Sequence, residues 1–138
     1  MLEELNSIVK NKNIFISKLI NHKGYILANR YKLEKVFLNI FRNSIEAIEN
    51  NDGRINIITR NIANLIEVRI IDNGIGIKED DIKYIFEPFV SINKSSSGLG
   101  LTIAKKILDE HDAEIKIKSI YTEGTDIKII FNIYEEEK

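Results

Sequence analysis

The feature that most constrains the fold of this chain is a long amphipathic segment between Tyr31 and Asn50. Apolar or small side chains recur there every three or four residues, at Leu33, Val36, Phe37, Ile40, Phe41, Ser44, Ala47 and Ile48. This spacing predicts a helix with one apolar stripe, and the turn residues from Asn50 to Gly53 predict its end. Because only one side of such a helix is apolar, the helix must pack against a second layer.

Alternating segments predict that the second layer is a β-sheet. Six strands are predicted, at Ile14–Leu19, Tyr25–Ala28, Ile55–Thr59, Ile66–Ile70, Glu114–Ile120 and Asp126–Tyr134. The third and fourth form a hairpin around Asn61–Asn64. Two further helices are predicted, over Lys78–Ile85 and Leu99–Glu110. Helices beside hairpin-connected strands predict an α+β fold, a two-layer sandwich with the helices on one face of a mixed sheet.

Composition excludes several classes of function. The 138 residues suit a single domain, and the absence of cysteine excludes a disulfide scaffold, a zinc ribbon and a thiol nucleophile. The formal net charge of −1 argues against a nucleic-acid-binding protein that relies on bulk positive charge. With only two histidines, a metal site built on several histidines is excluded. No apolar run approaches the length of a membrane span.

The long predicted helix carries a polar face that has two interpretations. Asn39, Asn43 and Glu46 are separated by four and three residues, so they lie one above the other on one side of the helix. Taken alone, such a face is usually just solvated. Alternatively, its oxygens ligate a hard cation such as Mg²⁺, which prefers oxygen ligands and keeps several waters, so that one protein ligand and substrate phosphates suffice.

Two glycine-containing segments also allow a structural and a functional interpretation. Asp72–Gly76 follows a predicted strand and is either a tight turn or a loop in which Asp72 accepts a hydrogen bond from an exocyclic amine. In the second case, Gly74 and Gly76 let the backbone approach a flat ring closely. The spacing does not match the dinucleotide-binding fingerprint, which needs a third glycine before a long helix.

The second segment, Ser96–Leu101, opens the last predicted helix. Ser97 is a suitable N-cap, whereas free backbone amides at this helix start are also suited to binding phosphate. The polar run Ser91–Ser97 would then be a lid over them. A Walker-type phosphate loop is excluded because the segment lacks Gly-Lys-Ser and Gly-Lys-Thr. His111 lies near the end of the same helix, where a protonated imidazole is favoured by the helix dipole, and neither it nor His22 has neighbours that make it look reactive.

In their order, these segments resemble the ATP-binding catalytic domain of sensor histidine kinases, within the GHKL superfamily. The matching motifs are the N box at Leu38–Ala47, the first glycine box at Asp72–Ile77, the F box at Ile85–Phe89, the second glycine box at Gly98–Leu101 and the Gly-Thr element at Glu123–Thr125. The resemblance extends from about Leu2 to Tyr134. It implies the Bergerat α/β sandwich, with ATP and Mg²⁺ bound between the N-box helix and the lid.

The resemblance also implies roles for individual residues. Asn39 and Asn43 are the expected catalytic residues, with Asn43 coordinating the magnesium ion and Asn39 lining the same site. Asp72 accepts from the adenine amino group, and Thr125 stands near it. The remaining residues expected to bind the cofactor are Gly74, Gly76, Ile77, Phe89, Lys94, Gly98, Leu99, Gly100 and Leu101. Among them the amides of Gly98, Leu99 and Gly100 are expected to meet the phosphates, Phe86 and Phe89 to anchor the lid, and Lys94, ahead of Arg42, to be the basic contact.

One position separates the branches of the superfamily. Its ATPases carry a general-base glutamate one helical turn before the magnesium asparagine, and Asn39 occupies that position here. A carboxamide cannot take a proton at neutral pH, so attack by water is poorly supported. A kinase does not need that base, because phosphoryl transfer can rest on positioning and charge neutralisation.

We therefore expect the catalytic domain of a two-component sensor histidine kinase, which transfers the ATP γ-phosphoryl group to a histidine on a separate dimerisation domain. Residues 1–12, with helically spaced Leu2, Leu5 and Ile8, are interpreted as a stub of the preceding dimerisation helix, and residues 13–138 as the catalytic domain. The expected partners are the dimerisation domain of the same kinase and a downstream response regulator, with no nucleic acid. The expected location is cytoplasmic, and this segment does not itself span a membrane. The alternatives are a serine kinase of the anti-sigma-factor type and a nucleotide-binding interaction module without catalysis.

Overall fold

The computed structural model describes residues 12–49, 51–87 and 100–136. These residues form five strands and three helices: β1 (Ile14–Asn21), α1 (Arg30–Ala47), β2 (Gly53–Ile62), β3 (Leu65–Asp72), α2 (Glu79–Ile82), α3 (Gly100–Glu110), β4 (Glu114–Ile120) and β5 (Gly124–Asn132). The predicted α+β class with a mixed sheet is confirmed.

The strands form one sheet in the order β1-β2-β3-β5-β4. β1 and β2 are parallel, because the chain crosses back through α1 between them, and the other pairs are antiparallel. Ile57, Ile70, Ile127 and Ile117 are direct neighbours across β2, β3, β5 and β4, and we call them the core row. Residues directly opposite each other share a face, so the core row is a continuous apolar band.

The hydrophobic core lies between this face of the sheet and the helices α1 and α3. Val36 and Ile40 of α1, Leu108 of α3, and Ile70 and Ile129 of the sheet are fully buried there. In β5 every second residue is buried from Thr125 to Phe131, which is the period of a strand with one covered face.

The opposite face of the sheet carries ion pairs. Arg60 Nε lies 2.8 Å from Glu67 Oε1, and Arg69 pairs with Asp126. Burial of Glu67 beneath its neighbours is tolerated because Arg60 and Lys128 flank its carboxylate. The two faces therefore differ as the α+β sandwich requires.

The predicted strand at Tyr25–Ala28 is wrong. This segment forms no ladder, and the Tyr25 carbonyl accepts at 2.7 Å from the N–H of Tyr134, which lies beyond the end of β5. Tyr25 and Leu27 are 83% and 75% exposed, so their alternation does not reflect a buried face. The predicted helix over Lys78–Ile85 is also shorter than expected, since α2 has four residues and turns follow it.

The boundaries of the other elements differ by a few residues. α1 ends at Ala47 because Ile48 has an extended backbone, with its N–H donating to Ile45 O. Lys12 Nζ donates to the carbonyls of Ile45 and Ile48 at 2.8 and 3.0 Å, which places a cation at the negative end of the helix dipole. Residues 1–11 of the predicted dimerisation-helix stub lie outside the described residues. Among the described helices, none is long and apolar enough to cross a membrane.

Candidate functional site

The candidate site begins at a second row of residues, two positions along the strands from the core row. Ile55, Asp72, Thr125 and Ser119 are direct neighbours across β2, β3, β5 and β4, and we call them the site row. They share a face with the core row because side chains two residues apart in a strand point the same way. The site row therefore places three polar side chains where the covered face of the sheet ends.

Asp72 is a buried hydrogen-bond acceptor. It is 6% exposed, and its Oδ1 accepts from the Gly74 N–H at 2.9 Å. Burial raises the pKa of Asp72, and the Gly74 N–H, the Ser44 hydroxyl and the Thr125 backbone partly oppose that rise. Although Ser44 lowers this pKa, Ser44 Oγ has no partner at hydrogen-bonding distance among the described residues. A carboxylate offers about four acceptor sites, so Asp72 can still take a donor from a ligand.

The loop after Asp72 is clamped between α1 and the β4–β5 turn. Ile75 donates its N–H to Ala47 O at 2.8 Å, and Ile75 O accepts from the Thr122 N–H at 2.6 Å. A Cβ on Gly74 would lie 2.7 Å from Ala47 O, and one on Gly76, whose φ is +75°, would lie 2.3 Å from Ile120 O. The glycines are therefore required by close backbone packing within the protein itself.

The Gly-Thr element is held against Asp72 in the same way. Gly124 has a φ of +144°, and a Cβ there would lie 2.1 Å from Asp72 O. A larger residue would push β5 away from β3 and break the alignment of Thr125 with Asp72. The first glycine box and the Gly-Thr element thus form one packed unit around the site row.

The polar face of α1 provides oxygen atoms suited to a hard cation. Asn39, Asn43 and Glu46 are partly buried, and Glu46 Oε2 is a buried oxygen with no hydrogen-bond partner among the described residues. A buried carboxylate oxygen without a partner is unfavourable, and a cation would relieve it. In the described part of the chain, no three or more His, Cys, Asp or Glu side chains group as metal ligands. The carboxamide of Asn43 with the carboxylate of Glu46 nevertheless fits the ligand preference of Mg²⁺.

The second glycine box and the predicted lid lie largely outside the described residues. Phe89, Lys94, Gly98 and Leu99 are not among the described residues, and Gly100 is the first residue of α3. Leu101 and Phe86 pack against the core. Thr102 Oγ1 donates to Phe86 O at 2.9 Å, which joins the start of α3 to the F box.

Three residues of the site were not predicted from the sequence. Thr102 lay outside the motifs, and Ser44, only 2% exposed, was counted in the apolar stripe. Ser119 is the third, and its hydroxyl contacts Thr125 Oγ1 at 2.9 Å. The sequence does distinguish Ser119: Ile115 and Ile117 alternate along β4 on its covered face, and this alternation predicts an apolar residue at position 119.

The histidines lie outside this site. His111 Nε2 accepts from the Asn29 N–H at 3.0 Å, and His111 Nδ1 lies 2.7 Å from Ile107 O. Since a carbonyl only accepts, Nδ1 donates to Ile107 O, and the ring links the end of α3 to Asn29, the residue that caps α1. His22 Nδ1 contacts Thr59 Oγ1 at 2.6 Å.

Comparison with known proteins gives one matching family model. The family described as "Histidine kinase-, DNA gyrase B-, and HSP90-like ATPase" matches residues 28–135. That range contains the whole site row and the polar face of α1.

Curated relatives include three proteins named as kinases. Sporulation kinase C of Bacillus subtilis is 31% identical over 140 residues, covering 92% of this chain and 32% of the relative. Sporulation kinase B of the same organism is 27% identical over 137 residues, covering 91% of this chain and 32% of the relative. The signal transduction histidine-protein kinase AtoS of Escherichia coli is 36% identical over 120 residues, covering 86% of this chain and 20% of the relative. The chain thus spans a third or less of the length of these relatives.

Solved structures share the fold. The mycobacterial sensor histidine kinase MprB has a TM-score of 0.83 at 23% identity, covering 96% of this chain and 90% of that one. Full-length ShkA in complex with AMPPNP has a TM-score of 0.81 at 21% identity, covering 97% of this chain and 29% of that one. At these identities the likeness establishes the architecture.

Proposed function

Since the chain belongs to the family of histidine kinase-, DNA gyrase B- and HSP90-like ATPases, we propose that it is the ATP–Mg²⁺-binding catalytic domain of a two-component sensor histidine kinase. It transfers the γ-phosphoryl group of ATP to a histidine on a separate dimerisation domain. The observation that carries the proposal is the buried Asp72 in register with Thr125, beside an asparagine-bearing helix face.

Asp72 is the proposed adenine contact. Its carboxylate is buried and keeps free acceptor sites beside the one that Gly74 occupies. An exocyclic amino group is a donor that can replace the water a buried carboxylate has lost. Gly74, Gly76 and Ile77 are the proposed neighbours of the adenine, since hydrogen bonds hold their loop beside Asp72.

Asn43 is the proposed magnesium ligand, with Asn39 lining the same site and Glu46 within reach of the ion. Bound Mg²⁺ neutralises charge on the phosphates during transfer. The backbone amides of Gly98, Leu99 and Gly100 and the side chain of Lys94 are the proposed phosphate contacts, and Gly100 is the first residue of α3. An amide cradle at a helix start favours anions because its N–H groups have no partners within the helix.

The residue at position 39 favours transfer over hydrolysis. A carboxamide cannot accept a proton from water, so Asn39 cannot act as the general base of an ATPase. Positioning of ATP against an incoming histidine needs no such base on this chain. We therefore propose slow hydrolysis in the absence of the acceptor domain.

The proposed partners follow from the coverage of the relatives. Sporulation kinases B and C are about three times as long as the matched region. We propose that residues 13–138 are the catalytic domain and that residues 1–12 come from the preceding dimerisation helix. The dimerisation domain of the same kinase is then the phosphoacceptor, a response regulator is the downstream partner, and the domain works in the cytoplasm.

Transfer from labelled ATP tests the proposal. The full chain is mixed with Mg²⁺, γ-labelled ATP and the dimerisation domain of the same kinase, with the Asp72→Asn variant as the matched control. The expected product is acid-labile, base-stable phosphohistidine on the dimerisation domain, absent with the variant. Acid-stable phosphoserine would instead indicate the anti-sigma-factor type of kinase, and ATP binding without transfer to a folded partner would indicate a binding module.

A further inference from the structure

Ser119, a member of the site row, is the centre of a small hydrogen-bond network. Its Oγ accepts from the Ile77 N–H at 2.7 Å, lies 2.9 Å from Gly124 O, and lies 2.9 Å from Thr125 Oγ1. These three contacts join the first glycine box to the Gly-Thr element through one side chain. None of the motifs in the sequence includes Ser119.

The protons of this network can be assigned in one way. A hydroxyl has one proton and two lone pairs, and a backbone carbonyl only accepts. The Ile77 N–H takes one lone pair of Ser119, and Gly124 O takes its proton. The remaining lone pair must accept from the Thr125 hydroxyl if all three contacts are hydrogen bonds. The Thr125 proton is therefore directed at Ser119.

This assignment determines what Thr125 offers to a ligand. With its proton committed to Ser119, the Thr125 hydroxyl presents only lone pairs to the pocket. Its neighbour in the site row, Asp72, is a carboxylate that also only accepts. Both side chains at this point of the pocket therefore require donors from the ligand.

We propose that Ser119 is a positioning residue that determines base specificity: by fixing the Thr125 proton, it makes the pocket select a 6-aminopurine nucleotide over a 6-oxopurine nucleotide. A 6-amino group brings donors to these two acceptors. A 6-oxo group is itself an acceptor, so its contact with Thr125 and Asp72 is unfavourable. The inference rests on the proposed function, because it assumes that this pocket holds the purine of ATP.

Ser119 also holds the loop through its bond to the Ile77 N–H, and this role must be separated from its effect on the Thr125 proton. Loss of that bond would weaken binding of every nucleotide alike, because it loosens a loop and leaves the base edge unchanged. A change in the ratio of affinities for two bases reports the proton assignment instead. Inosine triphosphate is the suitable competitor, since it carries the 6-oxo group without the extra 2-amino group of guanine.

The experiment compares affinities of the full chain for ATP and inosine triphosphate, with Mg²⁺, by calorimetry. We expect Ser119→Ala to lower the ATP-over-inosine preference about three- to tenfold, the effect of one neutral hydrogen bond. Thr125→Val should lower it equally, and the double variant should lower it no further, because the two residues act as one unit. The matched control is Ser17→Ala, since Ser17 lies on the edge strand β1 and donates to Asn56 there. This variant should leave the ratio of ATP to inosine triphosphate affinity unchanged.

Several outcomes would overturn the inference. An equal loss of both affinities in Ser119→Ala would show that Ser119 only holds the loop, and additive losses in the double variant would show that it does not act through Thr125. If Ser119→Ala unfolds, Ser119→Val replaces it, since it also removes the hydroxyl, and an unchanged ratio there is equally contradictory. Failure of the unaltered chain to bind ATP would instead overturn the proposed function and this inference with it.

Discussion

The core row and the site row lie two residues apart on the same face of the same four strands, yet one is packing and the other is the candidate site. In the core row every position is isoleucine, and Ile70 and Ile127 are buried. In the site row only Ile55 is apolar, and Asp72, Thr125 and Ser119 are polar. The backbone is equivalent in both rows, so the difference lies in the side chains and in what covers them.

The comparison shows how a sheet can carry a site without changing its architecture. Burying an isoleucine contributes about 1.5–3 kcal/mol to stability. Burying Asp72 is unfavourable, as the raised pKa of its carboxyl shows. The core row holds the strands in register, and that register brings Asp72 of β3 together with Thr125 and Ser119, which lie far from it in sequence.

The largest expected effect is on the core row. Ile70→Ala should lower the free energy of unfolding by about 2–5 kcal/mol, because Ile70 is fully buried and the lost methyl groups leave a cavity. Urea denaturation measures this change. Ile20→Ala, on an edge strand where Ile20 is 58% exposed, is the control and should cost much less. Equal losses in the two variants would contradict the assignment of the core row.

The next effect is on the site row. Asp72→Asn should weaken ATP binding by about 1.5–3 kcal/mol, because an acceptor-only carboxylate is replaced by a neutral group that can also donate. Calorimetry with ATP measures the loss. Asp80→Asn, at an exposed acid of α2, is the matched control and should bind like the unaltered chain. Undiminished ATP affinity in Asp72→Asn would refute the role of Asp72.

The contrast between the rows also explains what could be predicted from the sequence. The core row was predictable because alternating isoleucines in β2, β3, β4 and β5 match the period of a strand. The helix α1 was predictable for the same reason, since its apolar stripe continues over many turns. The Tyr25–Ala28 segment was not predictable in this way, because two alternating apolar residues look like a strand, whereas pairing needs a neighbouring strand edge that the sequence does not reveal.

The site row was only partly predictable. Asp72 and Thr125 lie in recognisable motifs, but their pairing across β3 and β5 is part of the tertiary structure and cannot be read from the sequence. Ser119 was missed because a single serine at a strand end is ordinary in a sequence. Its meaning comes from Ile77, Gly124 and Thr125, which lie within hydrogen-bonding distance only in the folded chain.

A smaller effect is expected beside the site row, on the polar face of α1. Asn43→Ala should weaken Mg²⁺-dependent ATP binding about tenfold or more, because the proposed oxygen ligand is lost. Titration of ATP binding against Mg²⁺ concentration measures this loss, with Lys35→Ala at an exposed position of the same helix as the control. Magnesium dependence that persists unchanged in Asn43→Ala would place the ion elsewhere.

The smallest expected effect is a rise in the free energy of unfolding when the buried carboxyl of Asp72, in the site row, is replaced. Burial raises the pKa of Asp72, so the folded chain binds this proton more tightly than the unfolded chain does. The contribution of Asp72 to the free energy of unfolding is fully present at pH values below the ordinary aspartate pKa of about 3.9. It is lost as the pH rises through the higher pKa of the folded state. Asp72→Asn removes that loss and should raise the free energy of unfolding at pH 7 by on the order of 1 kcal/mol.

The same variant should show no stability gain at pH values below about 3.9, where Asp72 is protonated in both states. Urea denaturation of the two chains across this pH range measures the difference. A gain that is independent of pH would mean that the carboxyl is not strained by burial. A gain confined to higher pH, in a variant that also loses ATP binding, would show that the site row trades stability for binding while the core row two residues away does not.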